Sequence, residues 1–83
     1  MHVSVTAEDI THGQRGNLRS CPIALALNRQ TGGLWVVSSN TAWDGLETVY
    51  VLPLEAAQFI KQFDAVGAGA PLDFDMDLHP ASR

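Results

Sequence analysis

A lone thiol and a run of alternating carboxylates are the residues whose types and spacing invite chemistry in this chain. Cys21 stands in "RSCPIALALNR", one residue before a proline and at the start of an apolar helical run. A helix N-terminus carries partial positive charge, and Arg15 and Arg19 are close in sequence, so the thiol is placed to ionise readily and act as a nucleophile. A nucleophile of this kind needs a base; His12 is the candidate, with Asn17 or Asp9 to orient its ring. No nucleophile signature surrounds Cys21, however, and a cysteine beside Ile-Ala-Leu-Ala-Leu is more simply a small buried hydrophobe. Packing is the expected role, and a cysteine-dependent enzyme or thiol sensor is the alternative.

The carboxylates are Asp73, Asp75 and Asp77 of "LDFDMDL". Alternate residues of a strand recur on one face every ~6.8 Å, so the three aspartates form a row able to engage a basic groove on another protein. Edge protection competes with that reading, because charge on an exposed edge strand discourages sheet-to-sheet association. Such a row holds calcium only weakly without a dedicated loop. His2, His12, His79 and Cys21 are scattered, with none of the short paired spacings of structural zinc, so no metal or other cofactor is expected. "THGQRGN" has glycines and an arginine ahead of a helix, but it lacks the Walker pattern, and Pro22 removes one donor from the helix entrance.

The elements that must position these residues follow from periodicity. "HVSVT" at 2–6 alternates as a strand, and 7–17 reads as a loop with at most a helical turn at 7–10. Pro22 fits the first helical position, since its missing N–H has no partner to lose there, and Cys21 or Ser20 is then the cap. The helix runs through "PIALALNRQ" to Gly32-Gly33, is apolar on nearly every side in its first half, and is expected at the centre of the core. Asp44-Gly45 favours a two-residue type I′ turn joining 34–43 to 46–52. That register pairs Trp43 with Leu46, Thr41 with Thr48, Ser39 with Tyr50 and Val37 with Leu52. It gathers Trp35, Val37, Trp43, Leu46, Tyr50 and Leu52 on one core face, although Ser39 and Thr41 interrupt it and leave room for a bulge or wider loop. Any part of that aromatic face left exposed would be an interaction patch. A second helix opens at Pro53, buries Ala56, Phe59, Ile60 and Phe63, and closes at Gly67. In the last strand Leu72, Phe74, Met76 and Leu78 face the core.

The order strand, helix, strand, strand, helix, strand predicts an α+β fold: an antiparallel sheet with two helices on one face, the order of a ferredoxin-like unit. With 83 residues, 46% of them apolar and 17% charged, the chain is one domain, 1–83, with enough apolar content to fold. A single cysteine allows no internal disulfide, and "MHVSVTAEDI" has neither the basic segment nor the apolar run of a signal peptide. A cytoplasmic location is expected, and no stretch reaches the ~20 apolar residues of a membrane span. The net charge of −4 divides into +1 over residues 1–30 and −5 over 31–83. Acidity of that kind repels a phosphate backbone, which disfavours direct nucleic-acid binding and leaves a basic protein as partner.

The series Ile10, Gly13, Cys21-Pro22-Ile23-Ala24 and Leu27, followed by Leu52-Pro53, Glu55-Ala56, Phe59-Ile60 and Phe63-Asp64, resembles a family of small uncharacterised proteins of bacteriophages and prophages. The resemblance extends over most of the chain and implies a genomic setting without a mechanism. Taken with the small size, the lack of a persuasive catalytic set and the acidic carboxyl-terminal strand, that setting leads to the expectation of a non-enzymatic accessory protein that binds and modulates a host protein or complex, antagonism of a defence system such as CRISPR being the role the setting favours. Asp73, Asp75 and Asp77 are the residues expected at the contact. The alternatives are the thiol chemistry of Cys21 with His12 and a homo-oligomeric structural component of a phage.

Overall fold

The computed structural model describes residues 1–80, beginning with the expected amino-terminal strand, β1 (His2–Val5). Where a loop is predicted after it, a short helix, α1 (Ala7–His12), forms instead. The cause is a reciprocal cap: the Thr6 hydroxyl accepts from the Asp9 amide at 3.2 Å, and the Asp9 carboxylate accepts from the Thr6 amide at 2.9 Å. Gly13 follows, and a side chain there would meet the Pro22 ring at 2.6 Å, so the chain passes tightly over the start of the next helix.

That helix, α2 (Pro22–Thr31), has the predicted limits. Cys21 is its extended N-cap, Pro22 opens it, and Gly32 ends it in the left-handed region at φ 75°. Ile23, Ala24, Ala26 and Leu27 are fully buried, as its all-apolar first half requires.

The hairpin departs from its predicted register. Instead of one long strand over 34–43, the chain makes β2 (Val36–Val37), turns through 38–40, and returns as β3 (Thr41–Trp43). The Ser38 amide closes that turn on the Thr41 carbonyl at 2.9 Å. β4 (Val49–Val51) then pairs Val49 with Trp43, Tyr50 with Ala42 and Val51 with Thr41. Asp44-Gly45 still starts a turn, but a wider one: Asp44 Oδ1 accepts from the Leu46 amide at 2.8 Å and the Thr48 amide at 3.2 Å. Gly45 is obligatory there, with φ 84° and the Leu34 carbonyl 2.7 Å from where a Cβ would sit.

The second long helix, α3 (Leu54–Val66), starts one residue after its Pro53 cap and ends at Gly67, φ 72°. β5 (Leu72–Asp75) and β6 (Asp77–Leu78) complete the regular structure of the described residues.

β1 pairs with β5 in one antiparallel sheet, and β2, β3, β4 and β6 form another in that order. Residues 72–78 join the two. Met76 exchanges hydrogen bonds of 2.8 and 2.9 Å with Met1 beside β1, and Asp77 then pairs with Val51 of β4. The strand order is therefore β1, β5/β6, β4, β3, β2. A ferredoxin-like unit would set the first strand inside and the last at an edge; here the last strand lies inside and β1 takes the edge. The α+β class and the element order stand. Val3, Val5, Val37, Ala42, Phe74 and Met76 form one core with Ile23, Leu27 and Ala56, which places α2 and α3 on the same, inner side of the strands.

Candidate functional site

The thiol comes first, and the structure separates it from its expected base. Cys21 is 5% exposed and borders a cavity with Asn17, Val37, Ile60 and Asp64. His12 lines a different cavity, beside Glu8, Leu25 and Arg29, and its Nδ1 lies 2.9 Å from the Glu8 carbonyl. Burial pushes the Cys21 thiol above its ordinary pKa and the Asp64 charge adds to the rise; the Ala24 and Ile23 amides at the helix N-terminus oppose this and do not prevail. Neither arginine expected to help does so: Arg19 lines a different cleft, with Leu34 and Trp43, and Arg15 is engaged elsewhere. Arg15 donates to the carbonyls of Asp64 at 3.1 Å and Ala65 at 2.6 Å, closing the C-terminus of α3. Neither proposed orienter serves His12. Asp9 is held by Thr6 and by Arg29 at 2.9 Å, and Asn17 binds Gln14 and the amides of Arg19 and Ser20.

The aspartates do align, though not on an edge. Asp73 pairs with Ser4 and Asp75 with His2 across β5 and β1, while Asp77 pairs with Val51 across β6 and β4. Their strand is interior to the order above, so the row lies on the outward surface of the sheet and not along a free backbone edge. Asp73 Oδ1 accepts from the Ser4 hydroxyl at 2.5 Å, and His2 lies 3.4 Å from Asp73 and 3.1 Å from Asp75. The Ser4 hydrogen bond, aided by His2, holds the Asp73 carboxyl below its ordinary pKa. Both side chains stay open to solvent, 69% and 79% exposed.

Beside this acidic row the sheet carries a second surface that the predicted register conceals. Val36 pairs with Trp43 and Trp43 with Val49; Thr41 pairs with Val51 and Val51 with Asp77. Paired residues share a face, and these rows alternate with Val37 and Ala42, which are buried on the inner side with Trp35. Trp43 and Leu46, expected in the core, therefore lie outside it at 39% and 80% exposure. The turn at 38–40 is the reason for Trp43: it shifts the register of β3, and a shift of one residue moves a strand's side chains to the other face, whereas Leu46 lies in the wider turn that Asp44 closes. Leu78, also expected in the core, is 57% exposed. Leu34, Trp43, Leu46 and Arg19 line one cleft at the 44–48 end, and the Arg19 side chain has no hydrogen-bond or ion-pair partner among the described residues.

Comparison with protein-family models, with curated proteins and with solved structures gives no match for this chain.

The backbone edges of the outermost strands are occupied by the protein's own groups. Along β1, the Ser4 amide donates to Gln30 Oε1 at 2.8 Å, Gln30 Nε2 donates to the His2 carbonyl at 3.0 Å, and Arg29 donates to the Ser4 carbonyl at 2.8 Å. Along β2, the Trp35 amide donates to Asn28 Oδ1 at 2.7 Å and the Val37 amide to the Leu18 carbonyl at 2.8 Å. No cluster of three or more His, Cys, Asp or Glu side chains suited to a metal ion occurs among the described residues, and no described helix is long and apolar enough to cross a membrane.

The residues the sequence reading missed are Val36, Val49, Val51 and Leu34, together with the outward placement of Trp43 and Leu46. One signal was present. Val49 and Val51 are both β-branched and flank Tyr50, so any register that buries Tyr50 leaves two valines facing out.

Proposed function

We propose that this protein is a non-catalytic binding module whose contact surface is the outward face of its sheet. The observation that carries the reading is the apolar half of that face: Val36, Trp43, Val49 and Val51 stand where an antiparallel sheet open to water normally carries polar residues. Asp77 borders them beside Val51, Asp75 and Asp73 continue the row along the same strand beside β1, and the three supply the electrostatic part of the contact expected from the sequence. The likeness of the Cys21–Leu27 and Leu52–Phe63 segments to small bacteriophage and prophage proteins supports a host protein in the bacterial cytoplasm as the partner. Interference with a defence system such as CRISPR is the role we assign it.

The test is comparative capture from host-cell lysate with the unaltered protein, a Trp43→Ser/Val51→Ser variant, and a Glu47→Gln variant as control. The reading expects a defined partner that binds the unaltered and Glu47→Gln proteins and is lost from the double variant, with all three folded by circular dichroism. Recovery of the same proteins by all three would remove the outer face from consideration.

A further inference from the structure

We infer that the outward face receives a basic amphipathic helix of the partner protein, its apolar stripe on Val36, Trp43, Val49 and Val51 and its cationic flank over Asp73, Asp75 and Asp77. This rests on the outer-face reading above and adds the chemistry of what that face binds.

Three observations lead to it. The first is that strand addition has no place at the outermost strands: Gln30 and Arg29 occupy the edge of β1, and Asn28 and Leu18 that of β2. A partner reaches the sheet by its face, through side chains. The second is the division of charge on the outward face: Asp77 lies beside Val51, Asp75 and Asp73 continue from it along the same strand beside β1, and β4, β3 and β2 carry Val49, Val51, Trp43 and Val36 with one threonine, Thr41. A helix with an apolar stripe flanked by lysine or arginine complements that division in a single element. A second copy of this chain does not: it would bring three more carboxylates, and the one uncommitted arginine near the face, Arg19, lies at the apolar border beside Leu34 and Leu46. The third is size. Neighbouring strands are about 4.8 Å apart, so the span from residues 72–78 to β2 is about 14 Å. A helix with its side chains is about 10–12 Å across and covers that width.

The experiment is an NMR titration of the full chain, uniformly 15N-labelled, with two synthetic peptides of about four helical turns. One repeats leucine and lysine with an apolar stripe; in the other glutamate replaces lysine. The leucine–lysine peptide is expected to shift the amides of residues 36, 43, 49, 51 and 73–77. Its affinity should fall about tenfold in an Asp73→Asn/Asp75→Asn/Asp77→Asn variant, since each exposed ion pair contributes modestly and three add. It should also fall in Trp43→Ser/Val51→Ser, which keeps every carboxylate and so separates a docked helix from a peptide attracted by net charge. Equal binding of the glutamate peptide, shifts centred on another surface, or concentration-dependent shifts of the same face without peptide would each overturn the inference, the last in favour of a second copy. If a lysate partner needs Trp43 and Val51 while neither peptide binds, the basic helix is wrong and the outer-face reading survives. Should the lysate partner not need them, the outer-face reading itself fails.

Discussion

Across β1 and β5, inward Val3, Val5, Leu72 and Phe74 alternate with outward His2, Ser4, Asp73 and Asp75, whereas across β2, β3 and β4 the outward positions hold Val36, Trp43, Val49 and Val51, with Thr41 the one polar residue among them. The two flanks share a backbone geometry and bury their inner faces against the same helices. They differ in what they show to the outside. The first flank follows the pattern water imposes on a sheet covered on one side, apolar within and polar without. The second ignores it, although β-branched and aromatic residues at those positions add nothing to the inner core. Local strand preference accounts for part of this, since valine and tryptophan suit strands. It does not account for Leu34 and Leu46, which lie outside the strands at 75% and 80% exposure and line the same cleft as Trp43.

The comparison breaks most sharply if inner and outer residues carry equal weight in folding. Phe74→Ala on the inner face is expected to cost about 3–5 kcal/mol, because a buried aromatic loses both transfer energy and contacts. Trp43→Ser on the outer face should cost about 1 kcal/mol or less, in the range of exposed positions. Urea denaturation of both variants measures the difference. Comparable losses would show that the outer residues belong to the stabilising core and are not held in reserve for a partner.

The next effect concerns the edge of the polar flank. Gln30 places its amide where a neighbouring strand would otherwise lie, accepting from Ser4 and donating to His2. Gln30→Ala leaves that part of the edge to solvent and should cost about 1–2 kcal/mol for two hydrogen bonds at a partly open site. It should also raise self-association, since an uncovered edge is a template for strand pairing. Light scattering against concentration tests this. A variant that stays as monodisperse as the parent would mean that Arg29 alone is sufficient cover.

How much of this was legible beforehand depends on the range of the interactions involved. The helix limits at Pro22, Gly32 and Gly67 depend on single residues and their own backbone preferences, and they were readable. So was the alternation of 72–78, which keeps its period through Asp77. The helix over 7–12 carried a legible sign in Thr6 and Asp9, three residues apart, but the two glycines and polar residues downstream outweighed it. The turn at 38–40 contains no glycine or proline, only Ser38, Ser39 and Asn40, and Asp44-Gly45 offered a stronger signal nearby. The fate of Arg15 was beyond reach: its partners, the Asp64 and Ala65 carbonyls, are about fifty residues away in sequence and adjacent only once the chain has folded. With Arg15 removed and Asp64 brought in, the electrostatic case for a reactive Cys21 reversed.

The smallest effects separate two aspartates that share a direction and differ in setting. Burial acts to raise the Asp9 carboxyl, but the Arg29 hydrogen bond and those of Thr6 outweigh it and hold Asp9 below its ordinary pKa. A carboxylate lowered on folding contributes stability above its unfolded value, about 4, and loses it as pH falls through the folded value. Asp9→Asn should therefore cost about 1 kcal/mol at neutral pH, in the range of a lost helix cap, and flatten the acid limb of the stability curve. Asp73 has the same sign through Ser4 and His2, but it is open to solvent, so its coulombic part is exposed to screening. In about 1 M salt, where the Debye length is about 3 Å, the coulombic His2 part of the Asp73→Asn effect on acid stability should be lost, so that effect shrinks while that of Asp9→Asn persists. Chemical denaturation at pH 3 to 7, in low and high salt, tests both. If the Asp73 contribution survives salt, the Ser4 hydrogen bond sustains it and the acidic row is part of the fold's own scaffolding. If it vanishes, those carboxylates can be neutralised at almost no cost to folding, as a surface kept for a cationic partner requires.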